Sequence, residues 1–308
     1  MSVRRCLHQY GVPHIGYVSG LNFIAILYIP IIYPYMKKAL LLAAIILAVV
    51  LQYSKAQTVP ADTSHHITIN LDIPQLQRKR DVQILLPADY YRSKSRYPVI
   101  YMQDAQNIYD KKHGSPVSWG VDSVLESLPM NEQVIIVGIN HGGNQRIAEY
   151  SPYKTKYGPA DGPAYIEFLV HSLKPYIDTH YRTKPDAKHT AVAGSSMGGL
   201  IAFYASIKYP EVFGTAGVFS PSLWINPEID QFVKEHDIPK RSRFFFACGD
   251  QEGNEAHDVL KMDSLLRTKK NVTRKNLPEP VILKGQQHNE RQWRLEFPGF
   301  YRWFIKDL

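Results

Sequence analysis

Ser196 is the central residue of the segment 194–198, Gly-Ser-Ser-Met-Gly, which fits the pattern Gly-x-Ser-x-Gly. In a nucleophile elbow this pattern places the serine on a strained turn between a strand and a helix, so that its hydroxyl is exposed. The small and β-branched residues 190–193 are typical of such a strand, and apolar residues recur at helical spacing over 200–207. The segment therefore predicts a nucleophilic serine, and the alternative is an ordinary glycine-rich turn in a parallel sheet.

A serine hydroxyl becomes a good nucleophile only when a base accepts its proton and a third group orients that base. In elbow enzymes the chain order is serine, acid, histidine, and three histidines follow Ser196: His236, His257 and His288. The first two lie within or at the end of helix-like segments. His288 lies in a loop between a late strand and the last helix, where loops line the catalytic edge of a parallel sheet. We therefore predict His288 as the base, with a surface-loop histidine as the alternative.

Two carboxylates compete for the role of the acid. Asp250 and Glu252 both follow the strand-like run 243–248, and either can reach across a loop of this length. The one that is not catalytic would most simply cap the helix that begins near Glu255. Glu252 stands farther from the strand end and has the longer side chain, which favours Glu252 without excluding Asp250.

The negative charge that develops on an attacked ester carbonyl needs two backbone N–H donors. One is expected from Met197, the residue after the nucleophile. The other is expected from the loop after the third strand, at Gln106 or its neighbour Ala105.

Short strand-like and helix-like segments alternate along the chain from residue 65 onward. The helix-like segments are Val121–Leu128, Tyr165–Ile177, the segment after Ser196, Pro227–His236, Glu255–Thr268 and Glu290–Ile305. Several strand-like segments are continuous apolar runs, which is typical of strands covered on both faces. We therefore predict an α/β fold with a mostly parallel central sheet and helices on both faces.

The composition, 44% hydrophobic and 21% charged over 308 residues, is that of an ordinary globular protein. The net charge is +8, but residues 57–308 carry 31 basic and 28 acidic residues, a net charge of only +3. This excess is too small for a nucleic-acid-binding surface. The basic runs Arg78–Arg80 and Arg267–Lys270 are interpreted as solvated faces.

The first 56 residues contain two apolar runs, one at 21–35 and one at 39–51. Residues 36–56 begin with Met36 and two lysines, continue with thirteen apolar residues and finish with Ser54-Lys55-Ala56, a small-x-small ending. This is the order found in a signal peptide cleaved after Ala56. Residues 1–35 are interpreted as an upstream over-extension of the reading frame. Residues 57–308 then form a single domain that is secreted or periplasmic and has no stable membrane anchor. The alternative is a protein held in a membrane by one or both runs.

Four segments together resemble the esterase D-like family of the α/β-hydrolases, which includes feruloyl, acetylxylan and enterobactin-type siderophore esterases. They are YPVIYMQDAQNIYD (97–110), NHGGNQRIAEYSPY (140–153), AVAGSSMGGLIAFY (191–204) and GQQHNERQWRLEFP (285–298). The resemblance implies an α/β-hydrolase fold, Ser196 as nucleophile, His288 as base and Glu252 as acid. Many relatives have glycine where this chain has Ala105, and the added methyl group is expected to narrow the oxyanion loop.

The expected activity is that of a serine esterase acting on carbohydrate-linked acyl esters, with a siderophore trilactone esterase or an acyltransferase as alternatives. A non-catalytic binding module is the alternative of another class. Trp224 is a candidate wall of the substrate pocket or a packing aromatic. Arg146 is a candidate substrate contact, or it forms an internal ion pair with Glu149.

No metal or cofactor is expected. His65, His66, His113 and His141 do not fall into a metal-ligand spacing with Cys, Asp or Glu. The chain also contains no glycine-rich phosphate-binding loop.

Overall fold

The computed structural model describes residues 65–110 and 117–308. The predicted upstream extension, the predicted signal peptide and His113 lie outside these residues. The described residues form eight strands: β1 (His66–Ile73), β2 (Arg78–Leu85), β3 (Val99–Gln103), β4 (Ile135–Ile139), β5 (Thr190–Ser195), β6 (Thr215–Phe219), β7 (Arg243–Gly249) and β8 (Val281–Leu283).

The helices of the same residues include the predicted helical segments and one short helix, Arg146–Glu149, that the sequence did not predict. They are α1 (Val121–Glu126), α2 (Arg146–Glu149), α3 (Gly162–Phe168), α4 (Lys174–His180), α5 (Met197–Lys208), α6 (Glu228–Glu235), α7 (Glu255–Arg267) and α8 (Glu290–Ile305). A π-helical turn, Leu169–Leu173, joins α3 to α4, so the predicted single helix is continuous but locally widened. Among the described residues, no helix is long and apolar enough to cross a membrane.

All eight strands belong to one sheet with the order β1-β2-β4-β3-β5-β6-β7-β8. The hairpin β1–β2 is antiparallel, β2 pairs antiparallel with β4, and every later pair is parallel. The mostly parallel sheet predicted from the sequence is therefore confirmed. The strand order reverses around β3 and β5, and in open sheets of this kind ligands bind at the carboxyl ends of the strands near such a reversal.

The two faces of the sheet are covered by different helices. In β3 successive side chains alternate between two apolar clusters, since Tyr101 belongs to one and Ile100 to the other. The cluster around Tyr101 includes residues from α3 to α7, and the cluster around Ile100 includes residues of α1 and α8. Strands buried on both faces explain why the central segments are continuous apolar runs.

The interpretation of Arg78–Arg80 as a solvated face is wrong for Arg80, which is 4% exposed. These residues are the first three of β2, where alternate side chains point to opposite faces. Lys79 points to solvent, whereas Arg78 and Arg80 both reach the carboxylate of Glu149, which is completely buried. Three consecutive basic residues are typical of a surface, but the two-residue period of a strand turns Arg78 and Arg80 to the face opposite Lys79.

Candidate active site

Ser196 stands between β5 and α5 in a backbone conformation that non-glycine residues rarely adopt, with φ 57° and ψ −127°. The turn is tight, because a Cβ placed on Gly194 would lie 2.5 Å from the carbonyl oxygen of Gly198. The N–H of Ser196 donates to the carbonyl of Phe219 at 3.0 Å, which fixes the turn against the end of β6. The strand, turn and helix predicted around this serine are therefore present in the structure.

The Ser196 hydroxyl contacts a second serine. Its Oγ lies 3.2 Å from Oγ of Ser222, and the N–H of Ser222 donates to the carbonyl of Ser196 at 3.1 Å. Within residues 65–110 and 117–308, no hydrogen bond joins Ser196 to His288. The side chain of the candidate nucleophile therefore points to the segment 219–222 in this state.

His288 lies in the loop between β8 and α8, and its Nδ1 is 2.6 Å from Oε2 of Glu252. The Glu252 side chain is 1% exposed, whereas that of His288 is 39% exposed. An ionised carboxylate only accepts hydrogen bonds, so Nδ1 carries the proton of this contact. Nε2 is then the ring nitrogen that can accept a proton from a substrate or a serine.

Several donors converge on the Glu252 carboxylate. Its Oε1 accepts a hydrogen bond from Ser220 Oγ at 2.9 Å and another from the backbone N–H of Gly249. Burial acts to raise the pKa of Glu252, but hydrogen bonds from His288, Gly249, Gln292 and Ser220 together hold this pKa below its usual value. Glu252 is therefore kept ionised beside the imidazole.

Asp250, the other candidate acid, points elsewhere. Its Oδ1 accepts hydrogen bonds from the N–H of Gly285 at 2.7 Å and from the Gln251 side chain at 3.1 Å. The loop after β7 is thereby tied to the turn after β8. The expectation that the unused carboxylate caps α7 is wrong, because Asn254 occupies the N-cap position of that helix and Asp250 binds the neighbouring turn.

Ser220 is a site residue that the sequence did not reveal. Besides donating to Glu252, its hydroxyl accepts hydrogen bonds from Gln292 Nε2 and Trp293 Nε1, each at 3.0 Å. Its φ of 40° is also unusual for a non-glycine residue. The available signals were its position directly after β6 and the tryptophan that follows His288 by five residues.

The predicted oxyanion donors lie at the first turns of two helices. Met197 is the first residue of α5, and Ala105 and Gln106 are the first two residues of a 3₁₀ turn after β3. The N–H groups at such positions have no acceptor inside their own helix. The Ala105 methyl carbon lies 2.9 Å from the position that a Cβ on Gly138 would occupy, so the methyl group packs against β4.

Arg146 is bound to the residue that precedes the 3₁₀ turn of Ala105 and Gln106. Its guanidinium binds both carboxylate oxygens of Asp104 at 2.7 and 2.9 Å, and Asp104 immediately precedes the 3₁₀ turn. The predicted ion pair between Arg146 and Glu149 is wrong, since Glu149 pairs with Arg78 and Arg80 instead. Arg146 and Glu149 do each form an internal ion pair, but with other partners than predicted.

Trp224 is 56% exposed, so the interpretation as a packing aromatic is wrong. It stands two residues after Ser222, and its ring meets the exposed ring of Tyr157 edge to face at a centroid distance of 6.4 Å. The two rings form an aromatic surface beside the segment that contacts Ser196.

Two further carboxylates are buried near Glu252. Burial, followed by the charge of Glu252, raises the pKa of Glu255 to about 8 and that of Glu296 to about 9. Neither carboxylate forms a salt bridge with Lys or Arg within the described part of the chain. Glu252 is thus the member of this group that stays ionised at neutral pH.

Two cavities lined by described residues lie away from this chemistry. One of about 660 Å³ is lined by residues that include Pro98 and Val134, which directly precede β3 and β4. Another of about 530 Å³ includes Arg243, the first residue of β7. Both therefore open at the amino ends of the strands, whereas Ser196, Glu252 and His288 follow the carboxyl ends.

The sheet, the elbow after β5 and the loops after β7 and β8 define an α/β-hydrolase. A sequence profile described as "Putative esterase" matches residues 73–304, and the chain belongs to this esterase family. Membership identifies the chain as a carboxylic ester hydrolase.

The curated relatives include proteins with named ester substrates. An endo-1,4-beta-xylanase/feruloyl esterase of Xylanibacter ruminicola is 26% identical over 228 residues, which cover 70% of this chain and 28% of that protein. A siderophore enterobactin esterase of Emericella nidulans is 26% identical over 145 residues, covering 47% of this chain and 44% of that protein.

Solved structures share the fold. A ferulic acid esterase superimposes with a TM-score of 0.62 at 20% identity, covering 79% of this chain and 98% of the other. The enterobactin esterase FES of Shigella flexneri superimposes with a TM-score of 0.61 at 19% identity, covering 80% of this chain and 60% of the other.

Proposed function

We propose that this chain is a secreted serine esterase in which Ser196 is the nucleophile, His288 the general base and Glu252 the group that orients His288. The observation that carries the proposal is the placement of these residues on one edge of one sheet. Ser196 follows β5, Glu252 follows β7 and His288 follows β8. The segment 219–222 after β6 contacts both Ser196 and Glu252, which links the nucleophile to the acid.

The mechanism follows from these positions. Ser196 Oγ attacks the ester carbonyl carbon as its proton passes to Nε2 of His288. The Nδ1–H of His288 stays bound to Glu252, which stabilises the imidazolium ion. His288 then gives the proton to the departing alcohol, and a water molecule hydrolyses the acyl-enzyme by the same route.

The oxyanion is stabilised by backbone N–H groups rather than by charged side chains. The N–H of Met197 supplies one donor, and the turn that begins at Ala105 and Gln106 supplies the other. Arg146 fixes the start of that turn through Asp104. Arg146 therefore acts as a positioning residue for the oxyanion loop and not as a substrate contact.

The contact between Ser196 and Ser222 belongs to the resting state in this mechanism. Catalytic hydrogen bonds in free enzymes are often long and tighten only when substrate binds. Rotation of the Ser196 side chain away from Ser222 Oγ would aim its hydroxyl at the imidazole. Substrate binding beside Trp224 is expected to favour that rotation.

We propose esters of carbohydrate-linked acyl groups as the substrate class. The matching feruloyl esterase of Xylanibacter is joined to a xylanase, and the exposed rings of Trp224 and Tyr157 offer flat apolar surfaces on which a sugar or an aromatic acyl ring can stack. The second candidate is a siderophore trilactone, which is supported by the enterobactin esterases among the relatives and the structural neighbours. Acyl transfer to an alcohol is the third, because the same three residues serve it.

The proposed location depends on the first 56 residues. Residues 36–56 act as a signal peptide in this proposal, residues 1–35 precede the true start, and residues 57–308 form the mature single domain. N-terminal sequencing of the exported protein should give Gln57 as the first residue. An intact segment 36–56 on membrane-bound mature protein would contradict the proposal.

The substrate test compares kcat/KM for acetylated xylan, methyl ferulate and enterobactin on the same preparation. We expect the highest value for one of the carbohydrate or feruloyl esters, and a large preference for enterobactin would reverse the order. Product analysis with and without an added sugar acceptor separates hydrolysis from transfer. An acylated sugar as the main product would replace the hydrolase by an acyltransferase.

A further inference from the structure

We propose that Glu252, Glu255 and His288 form a binding site for a zinc-type divalent cation, and that the bound cation blocks the base of the esterase. One potential ligand atom from each of these residues lies within 4.8 Å of the other two. The three residues come from the loop after β7, the first turn of α7 and the loop after β8. Their spacing in the sequence gives no metal-binding pattern, so only the fold brings them together.

One carboxylate oxygen of Glu255 is buried and unpaired within residues 65–110 and 117–308. The residue is 5% exposed, and its Oε1 has no hydrogen-bond partner among the described residues. A buried carboxylate without a partner is costly, and buried charges in proteins are paired or bind metals. No lysine or arginine in the described part of the chain forms a salt bridge with Glu252 or Glu255. A divalent cation would give the Glu255 oxygen a partner and would share the Glu252 carboxylate with His288.

The chemistry of the ligands favours zinc over the hard cations. One imidazole nitrogen with two carboxylates and an open fourth position is a ligand set that zinc accepts, with bonds of about 2.0–2.2 Å. Magnesium prefers octahedral oxygen ligands and retains several waters. Once Glu255 has lost its proton as the metal enters, two negative carboxylates and a neutral imidazole balance the charge of a divalent cation.

Binding requires one local change. Nδ1 of His288 and Oε2 of Glu252 are 2.6 Å apart, whereas two ligands of one tetrahedral zinc ion lie about 3.4 Å apart. The His288 ring is 39% exposed and stands in a loop, so it can move outward and also gives the ion access from solvent. The imidazole stays neutral when the metal binds, because its one ring proton moves from Nδ1 to Nε2 by exchange with solvent. Glu255 releases its carboxyl proton to solvent in the same step.

The consequence for catalysis rests on the role of His288 proposed above. When Nδ1 binds the metal, the ring proton resides on Nε2, and the ring can no longer accept the Ser196 proton. Glu252 is occupied by the same ion. Zinc should therefore suppress hydrolysis, and removal of zinc by a chelator should restore it.

The binding test uses the full-length chain with Ser196→Ala, which retains all three ligands and has no turnover. Calorimetric titration with ZnCl₂ should give one site per chain. Adding Glu255→Gln should weaken the affinity more than about tenfold, since even outer-shell partners of metal ligands contribute 10–100-fold. Glu296→Gln is the matched control, because it alters another buried carboxylate near Glu252 that does not belong to the three-residue group, and it should leave the affinity unchanged.

The activity test uses the chain with its nucleophile. With hydrolysis of p-nitrophenyl acetate expressed relative to the same variant without zinc, Glu255→Gln should require more than about tenfold more zinc for half inhibition than the unmodified chain. MgCl₂ at the same concentration should not inhibit. Equal zinc affinity in the Glu255→Gln and Glu296→Gln variants, or the absence of one-to-one binding, would overturn the proposed site.

A direct measurement covers the case in which a variant does not fold. Anomalous diffraction at the zinc edge from zinc-soaked crystals of the unmodified chain should show a peak bonded to all three residues. A peak that lacks Glu255 would also overturn the proposal. Because binding is measured without turnover, its failure would leave the proposed hydrolysis intact, and failure of the hydrolysis would not affect the binding result.

Discussion

The two halves of the candidate active site are held in place by different means. The Ser196 half is fixed by its own backbone, since residues 194 and 198 meet across one turn and φ is positive at the serine. The Glu252–His288 half is assembled from loops after β6, β7 and β8 by side-chain hydrogen bonds, with Ser220 at their centre. A local constraint leaves a pattern in the sequence, whereas a long-range network leaves only isolated residues.

The largest expected effect is on the backbone-fixed half. Ser196→Ala removes the nucleophile and should lower kcat on p-nitrophenyl acetate by about 10⁶-fold, as loss of a triad nucleophile does elsewhere. The thermal midpoint should change little, because one hydroxyl is deleted at a partly exposed site. Ser195→Ala is the matched control and should retain activity within about tenfold. The reverse result would move the nucleophile to Ser195.

The next effect tests the choice of acid in the assembled half. Glu252→Gln should lower kcat by about 10⁴-fold with KM nearly unchanged, since the imidazole loses its orienting charge. Asp250→Asn should change kcat by less than about tenfold, because Asp250 binds the N–H of Gly285 and not His288. Steady-state kinetics on both variants checks the assignment, and a larger loss in Asp250→Asn contradicts it.

Ser220→Ala tests whether the assembled half depends on its network. A hydrogen bond to a charged group contributes about 1.5–3 kcal/mol, so removal of this donor should lower kcat by roughly 10–100-fold. The pKa of Glu252 should also rise, because one of the hydrogen bonds that stabilise its ionised form is lost. The measurement is kcat against pH for the variant and the unmodified chain.

Ser222→Ala is the control on the other half. Ser222 contacts Ser196 only in the resting state of the proposed mechanism, so kcat should change by less than about tenfold. A loss in Ser222→Ala as large as that in Ser220→Ala would show that both halves rely on side-chain hydrogen bonds.

A last prediction concerns stability rather than kcat and involves the buried carboxylates outside both halves. The pKa values of Glu255 and Glu296, about 8 and about 9, exceed those of an unfolded glutamate, so the folded state binds more protons between these values and about pH 4.5. Stability should therefore fall as the pH rises from about 5 to 9, with a slope of up to about 1.4 kcal/mol per pH unit for each group. Denaturant unfolding of the Glu255→Gln/Glu296→Gln variant should show a shallower decline. Parallel curves would mean that neither group titrates in this range.

The sequence predicted the class of the fold because the central strands are covered on both faces and read as apolar runs. It also predicted the strand, turn and helix around Ser196, where every constraint acts between neighbours in the chain. It could not separate Asp250 from Glu252, since both are in one loop and the difference arises from the contacts with His288 and Ser220, more than thirty residues away.

The wrong prediction for Arg146 and Glu149 also arises from contacts between residues that are distant in the sequence. Arg146 was predicted to pair with Glu149, three residues along the chain. Each of the two instead forms an ion pair with a residue that is distant in the sequence. Arg146 forms an ion pair with Asp104, which directly follows β3, and Glu149 forms one with Arg80 in β2. Pairings between strands depend on register, which a single sequence does not reveal.

The buried pair of Arg80 and Glu149 has a consequence for how the chain selects its register during folding. β1 and β2 pair over all eight residues, and a shift of one residue would turn every side chain of β2 to the opposite face. A hairpin shifted in this way would separate the guanidinium from Glu149 and leave a buried carboxylate without its closest cation. Misaligned hairpins should therefore be short-lived, and an apolar residue in place of Arg80 would remove that discrimination even where the native fold remained stable.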